Sequence, residues 1–225
     1  MSSSPTGPTS TTASSSSSPS EQAAVPVDGP GRVGLIACGA LAQPAAQLCA
    51  EHGWPVDVHP LPPLLHNQPH LIAGEVERLI DELGDRYRRL AIGYADCGTY
   101  GALDELCERH GISRLPGLHC YDVYGGAERL AAFFEEQPGT YVFTDFLVRG
   151  FQRTVIRELG LDRYPELRED YFKSYTRVVW LAQEPDEELT GLAEAAAAQL
   201  GLPLTVVPTG HHGLARAIAE LVAEA

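Results

Sequence analysis

Three of the five cysteines stand beside glycine, aspartate or histidine: Ala37-Cys38-Gly39, Asp96-Cys97-Gly98 and His119-Cys120-Tyr121-Asp122. Thiolates in such settings support two kinds of chemistry. Gathered on one centre, three of them select zinc or an iron–sulfur cluster and leave a further position for water, substrate or a histidine such as His119 or His66. Left free, a thiol at a helix N-terminus becomes a nucleophile because the helix dipole lowers its pKa; Cys97 is the candidate, with adjacent Asp96 opposing the effect. Asp96, His119, Asp122 and His66 are the groups available for acid–base work around either centre. The spacings of 59 and 23 residues match no local metal motif and there is no C-x-x-C pair, so the chemistry depends on whether the fold gathers the three. A third reading makes them small buried hydrophobes, and it is the one taken for Cys49 and Cys107, which fall within helical patterns.

The elements that must position these residues follow from apolar periodicity. Val33–Cys38, Leu90–Tyr94, Tyr141–Thr144, Val178–Ala182 and Leu204–Val207 are short apolar runs without alternation, as parallel strands covered on both faces require. Between them, Leu71, Ile72, Val76, Leu79, Ile80 and Leu83 recur at helical spacing with Glu75, Glu77, Arg78, Asp81 and Glu82 opposite. Further helices are expected over about 41–52, 100–110, 127–136, 145–159, 187–200 and 214–223, several followed by Gly. Alternating strands and helices imply an α/β fold: a doubly wound, mostly parallel sheet with helices on both faces, in a single domain over 31–225. Ligands of such sheets bind beyond the carboxyl ends of the strands. Cys38, Cys97 and Cys120 all fall at predicted strand-to-helix junctions along that edge.

Other residues at the edge admit plainer roles. Asp145 directly precedes the periodic Phe146, Leu147, Phe151 and Val155, which favours an N-cap over a catalyst. His211-His212-Gly213 follows the last run and reaches the same edge either as ligands or as turn groups. Gly98-Thr-Tyr-Gly101 and Tyr124-Gly-Gly126 fit no nucleotide fingerprint. Tyr121, Tyr164 and Tyr171-Phe-Lys-Ser-Tyr175 supply aromatic surface for a core, a pocket wall or a subunit contact.

Composition bounds the function. Among the first 20 residues, 17 are Ser, Thr or Pro and none is charged, so residues 1–30 are expected to form a disordered tail. Sixteen basic residues against 30 acidic give a net charge of −14, which argues against nucleic acid as a partner. No apolar run is long enough for a membrane span and no signal peptide is legible, so a cytoplasmic protein is expected.

Several segments together carry a resemblance. Leu35-Ile-Ala-Cys-Gly-Ala-Leu41, Leu61-Pro-Pro-Leu-Leu-His-Asn67, Tyr94-Ala-Asp-Cys-Gly-Thr99, Leu115-Pro-Gly-Leu-His-Cys-Tyr121 and Thr144-Asp-Phe-Leu147 resemble the motifs of the domain-of-unknown-function family 1638. Tyr164-Pro-Glu-Leu-Arg168, Tyr171-Phe172 and the Val178–Gln183 strand do so too. The resemblance runs from about Val33 to the C-terminus. It implies that Cys38, Cys97 and Cys120 are set apart from Cys49 and Cys107, and that His66, in the Leu-Leu-His-Asn motif, is more than a lone loop histidine. It also implies an association with corrinoid-dependent methyltransferase components and one-carbon metabolism, which is not a mechanism.

Two functions follow as expectations. One is a metalloprotein, possibly an enzyme of unknown substrate, with zinc or an iron–sulfur cluster on Cys38, Cys97 and Cys120. The other is a metal-free protein that holds a small ligand in the same cleft or docks on a methyltransferase or corrinoid protein through its acidic surface.

Overall fold

In the computed structural model the described residues are 31–223; the expected Ser/Thr/Pro-rich tail, residues 1–30, lies outside them. The first half runs β1 (Val33–Ala37), α1 (Gly39–Glu51), β2 (Val56–Pro60), α2 (Ile72–Leu83), β3 (Arg89–Gly93), α3 (Ala102–His110), the short α4 (Asp122–Gly125) and α5 (Ala127–Glu136). The second half runs β4 (Thr140–Thr144), α6 (Asp145–Phe151), α7 (Leu167–Phe172), β5 (Arg177–Ala182), α8 (Glu187–Leu200), β6 (Leu204–Pro208) and α9 (His212–Ala223). Every strand pairing is parallel, and helices alternate with strands, so the α/β class expected from the apolar runs is the observed one.

The six strands among the described residues form two three-stranded sheets, ordered β2-β1-β3 and β4-β5-β6. The free side of β3 is occupied before β4 can reach it. Ile92 N–H donates to the Ser113 carbonyl at 2.9 Å, and Leu115 N–H donates to the Ile92 carbonyl at 2.9 Å, so the chain after α3 closes that edge. The central strands β1 and β5 carry the apolar runs and are buried along almost their whole length. Peripheral β2, Val-Asp-Val-His-Pro, is apolar on one side only and half-exposed. That alternation is why it is not a continuous apolar run.

Each sheet has its own core. Around the first, Leu35, Ile36 and Ile92 meet Ile72, Val76, Ile80 and Leu83 of α2, burying the stripe whose spacing predicted that helix. Around the second, Phe143, Trp180 and Val178 meet Leu189, Ala193 and Leu200 of α8. The last helix crosses over: Leu214, Ala217, Ile218 and Leu221 of α9 belong to the first core although α9 follows β6. Beyond Phe151, α6 widens into a π-helical stretch over Gln152–Arg157, where one continuous α-helix to about 159 was expected. Among the described residues no helix is long and apolar enough to cross a membrane.

In the first sheet, chain order reverses at β1, since β2 lies on one side of it and β3 on the other. That reversal opens a crevice at the carboxyl ends of β1 and β3, where α/β proteins take their ligands. Cys38 follows β1 directly, and Cys97 follows β3 after Tyr94, Ala95 and Asp96.

Candidate metal centre

Cys38 occupies the N-cap position of α1 and is 3% exposed. The strand must turn into the helix beneath the segment after β2, and a Cβ on Gly39 would stand 2.4 Å from the Leu61 carbonyl oxygen and 2.7 Å from Pro63 N. Glycine at 39 is what lets Cys38 enter the cleft. The N–H groups of Ala40 and Leu41 in the first turn point at its sulfur.

Cys97 sits in an unusual turn. Its φ is +49°, and Gly98 (+83°), Tyr100 (+52°) and Gly101 (+92°) share the left-handed region, which costs a side-chain-bearing residue about 1 kcal/mol or more. Asp96 holds the turn. Its carboxylate accepts from Thr99 Oγ1 at 2.8 Å and from the N–H groups of Gly98 and Gly101, each at 3.1 Å. Burial works against the charge on Asp96, but these hydrogen bonds prevail and keep its pKa below the ordinary carboxylate value.

Cys120 is delivered by a second turn, laid against the first. Cys97 N–H donates to the Leu118 carbonyl at 2.8 Å and Asp96 N–H to that of Gly117 at 3.2 Å. Asp122 organises this turn: its Oδ2 accepts from Leu118 N–H at 2.8 Å and His119 N–H at 3.0 Å. Gly117 (φ +99°) leaves room for it, since a Cβ there would lie 2.7 Å from the same oxygen. Both aspartates read as candidate acid–base groups also hold the cysteine-bearing turns, Asp96 through both carboxylate oxygens and Asp122 through Oδ2.

The outcome is a sulfur cluster built from three distant segments. Cys97 Sγ and Cys120 Sγ are 3.0 Å apart, and the Cys120 thiol also interacts electrostatically with that of Cys38. This interaction with Cys120 is the main cause that brings the Cys38 pKa down to about 7; burial opposes it, and Ala40 N–H, Tyr94 and Leu41 N–H assist. Cys120 goes the other way, well above the ordinary thiol, because it lies between Cys38 and Cys97 and is desolvated. Tyr94, 0% exposed, has a hydroxyl with no nitrogen or oxygen partner, and it interacts with Cys38. Its own ionisation is pushed far up, first by burial and then by Cys38. In sequence Tyr94 ends an apolar run and reads as one more strand hydrophobe, so nothing there marks it as a site residue.

Cys49 and Cys107 are core residues of α1 and α3. Burial raises the Cys49 thiol to about 11 and raises Cys107 as well. The nucleophile reading moves from Cys97 to Cys38: α3 begins only at Ala102, so Cys97 lies outside the helix N-terminus, and the thiol that a helix start does stabilise is Cys38. In metal-free protein, the rate of Cys38 modification by iodoacetamide is expected to rise with pH through a midpoint near 7, as the reactive thiolate forms above that value. Cys49 should stay unmodified across the same range. Peptide mass spectrometry of a pH series checks both.

The sulfurs open onto a cavity of about 600 Å³ lined by Cys38, Cys97, Cys120, His66, His119 and the aromatic rings of Tyr121, Tyr124, Phe134, Tyr141, Phe146 and Tyr175. His66 Nδ1–H donates to the Pro63 carbonyl at 2.8 Å, which fixes the tautomer that leaves Nε2 free as an acceptor. His119 stacks on Tyr121 with ring centres 4.8 Å apart. Burial raises the pKa of Tyr121 and Tyr124, and that of Tyr141 to about 12, so these walls are neutral phenols.

Among the described residues no group of three or more His, Cys, Asp or Glu is placed so that it could hold a metal ion as it stands. The thiols are packed on one another instead. Tetrahedral coordination with Zn–S bonds of about 2.3 Å puts sulfurs about 3.8 Å apart, so the 3.0 Å contact must open slightly, whereas a cluster with one thiolate on each iron spreads them further. By residue type alone, three thiols with a histidine on the same wall are the donors that thiophilic ions select.

Asp145 is not the N-cap. Thr144 caps α6, its Oγ1 accepting from Leu147 N–H at 3.4 Å. The buried Asp145 carboxylate instead clamps the end of β5, accepting from Trp180 Nε1–H at 2.9 Å, Gln183 N–H at 3.0 Å and Glu184 N–H at 2.7 Å. Asp145→Asn keeps one acceptor oxygen and turns the amide donor toward a donor, so urea unfolding is expected to show a loss of about 1–2 kcal/mol. His211 lies 3.6 Å from Glu184 and edge-on to Tyr124, while the neighbouring His212 opens α9.

Compared with known proteins, residues 60–218, well over half of the chain, match the family described as protein of unknown function (DUF1638). No curated protein and no solved structure matches the chain. The matched span contains His66, Cys97 and Cys120 together with the turns that carry them, and Cys38 precedes it. The chain belongs to the DUF1638 family.

Proposed function

We propose that this protein is a metalloprotein that holds a single thiophilic ion, zinc first among them, on Cys38, Cys97 and Cys120, and that the ion faces a substrate cavity as in an enzyme. The observation that carries the reading is the convergence of three thiols from residues 38, 97 and 120 on one cavity wall, with 3.0 Å between two of the sulfurs. Two turns, each closed by an aspartate, bring Cys97 and Cys120 to that wall. Mutual contact of the sulfurs favours one shared ion over an iron–sulfur cluster. His66, with Nε2 free, stands on the same wall as a fourth ligand or an acid–base group, and His119 is a second candidate. An ion with three thiolate ligands and one exchangeable position supplies Lewis-acid activation of a bound oxygen or sulfur.

A second reading has its own observation. Tyr100, 97% exposed, and Leu118, 69% exposed, project from the two cysteine turns, which suits docking on another protein. The corrinoid or methyltransferase component implied by the resemblance would be that partner.

One preparation separates the readings. Metal and acid-labile sulfide are measured, with an absorption spectrum, on protein purified without oxygen. Stoichiometric zinc that is lost in Cys38→Ser, Cys97→Ser and Cys120→Ser but kept in Cys49→Ser and Cys107→Ser is the expected result. Iron with sulfide in equal measure would replace the ion by a cluster on the same residues. A parent chain that takes up neither metal after anaerobic reconstitution removes the metal centre and leaves the docking reading.

A further inference from the structure

A second cavity, of about 440 Å³, adjoins the first and shares Ala40, Tyr124 and Phe146 with it. Its chemistry differs. Arg149 and Arg153 stand four residues apart on α6 and its π-helical continuation, facing Gln43 of α1, with Gln183 and His211 completing the wall. Neither arginine has a carboxylate or hydrogen-bond partner among the described residues, in a chain with 30 acidic residues and 16 basic ones. His211 adds a ring nitrogen, Nδ1, that is buried without a partner. Two carboxylates share this wall, and the buried one, Asp145, is fully engaged. Asp145 accepts from Trp180, Gln183 and Glu184, and Glu184 lies 3.6 Å from His211 Nε2. The cationic donors of the compartment are those of the two arginines, which match carboxylate and phosphate oxygens in geometry as well as charge.

Resting on the proposed reading of the thiol cavity as a substrate site, we infer that Arg149 and Arg153 form its anion subsite: the molecule the cleft takes has a carboxylate or phosphate at one end and an apolar, ring-sized body at the other. The body lies among Tyr121, Tyr141 and Phe146 beside the sulfurs, and the anionic group passes Tyr124 to reach the arginines. Aromatic walls with a few convergent polar groups are the usual make-up of such sites.

The probes are benzoate, phenyl phosphate and the neutral benzyl alcohol, each titrated calorimetrically into the full chain. Both anions are expected to bind more tightly than benzyl alcohol and to lose about tenfold or more in affinity in Arg149→Gln/Arg153→Gln, while benzyl alcohol is unaffected. Arg157→Gln, on the same helix but outside the cavity, controls for surface charge and should leave the anions unchanged. A preference for phenyl phosphate assigns a phosphate-bearing ligand and a preference for benzoate a carboxylate. Anions that bind no better than the alcohol, or equally well in the double variant, overturn the subsite. Zinc content measured on the same samples keeps the two proposals apart: metal without anion binding removes the subsite alone, and arginine-dependent anion binding without metal removes the metal centre alone.

Discussion

Cys120→Ser is expected to lower zinc affinity more than any other single substitution, by at least about 100-fold, beyond the loss typical of residues that merely orient a ligand. Cys120 is 3.0 Å from Cys97 and interacts electrostatically with Cys38, so on the proposed reading removing it takes away one ligand and the group that links the remaining two. Serine is nearly isosteric, and its hydroxyl is a poor substitute for a thiolate toward zinc, so the fold should survive the change. Competition with a chromophoric chelator reads the affinity, and circular dichroism checks the fold. The parent chain should also release metal as pH falls, because each ligand must shed its proton to bind and Cys120 is held well above the ordinary thiol value. Equal affinity in Cys120→Ser and parent would sink the assignment of this residue as a ligand.

Gly213→Ala is expected to be the most destabilising glycine-to-alanine change, costing about 3 kcal/mol through overpacking of backbone against backbone. A Cβ at 213 would stand 1.8 Å from the Val123 carbonyl oxygen, and neither α9 nor α4 can yield without moving the other. Gly191, inside α8, has nothing within 4 Å of its virtual Cβ. There alanine should be neutral or stabilising by up to about 1 kcal/mol, since only the helix propensity of glycine is lost. Urea unfolding of the pair measures the contrast. Tyr124, next to Val123, lines both cavities, so Gly213→Ala should weaken zinc binding too, without touching a ligand.

Much of this was legible in the residues. The strand ends could be read because β1, β3, β4, β5 and β6 are apolar runs, and the rule that ligands gather beyond parallel strands singled out Cys38, Cys97 and Cys120 from Cys49 and Cys107. Strand β2 escaped notice because Asp57 and His59 alternate with its valines. The division into two sheets escaped as well, since it turns on the backbone of Ser113 and Leu115 closing the side of β3, and backbone pairing leaves no mark in side-chain type. The turn-holding role of Asp96 and Asp122 is invisible for the same reason: a carboxylate that gathers N–H groups from its own turn is indistinguishable, in sequence, from one that faces a substrate. Asp145 was misplaced by one residue as a cap, because Thr144 and Asp145 are both good N-cap residues and only Thr144 has the extended backbone a cap needs.

The crossing of α9 into the first core bears on how the chain is made. Cys38, Cys97 and Cys120 are all synthesised early, yet Leu214, Ala217, Ile218 and Leu221, which complete the core beneath them, arrive last. A nascent chain emerging N-terminus first therefore exposes three thiols on an unfinished layer until its final helix is released. Contacts so distant in sequence also form slowly. On the proposed reading metal loading would follow translation, and a chain cut short before residue 212 would carry all three cysteines without the core layer beneath them.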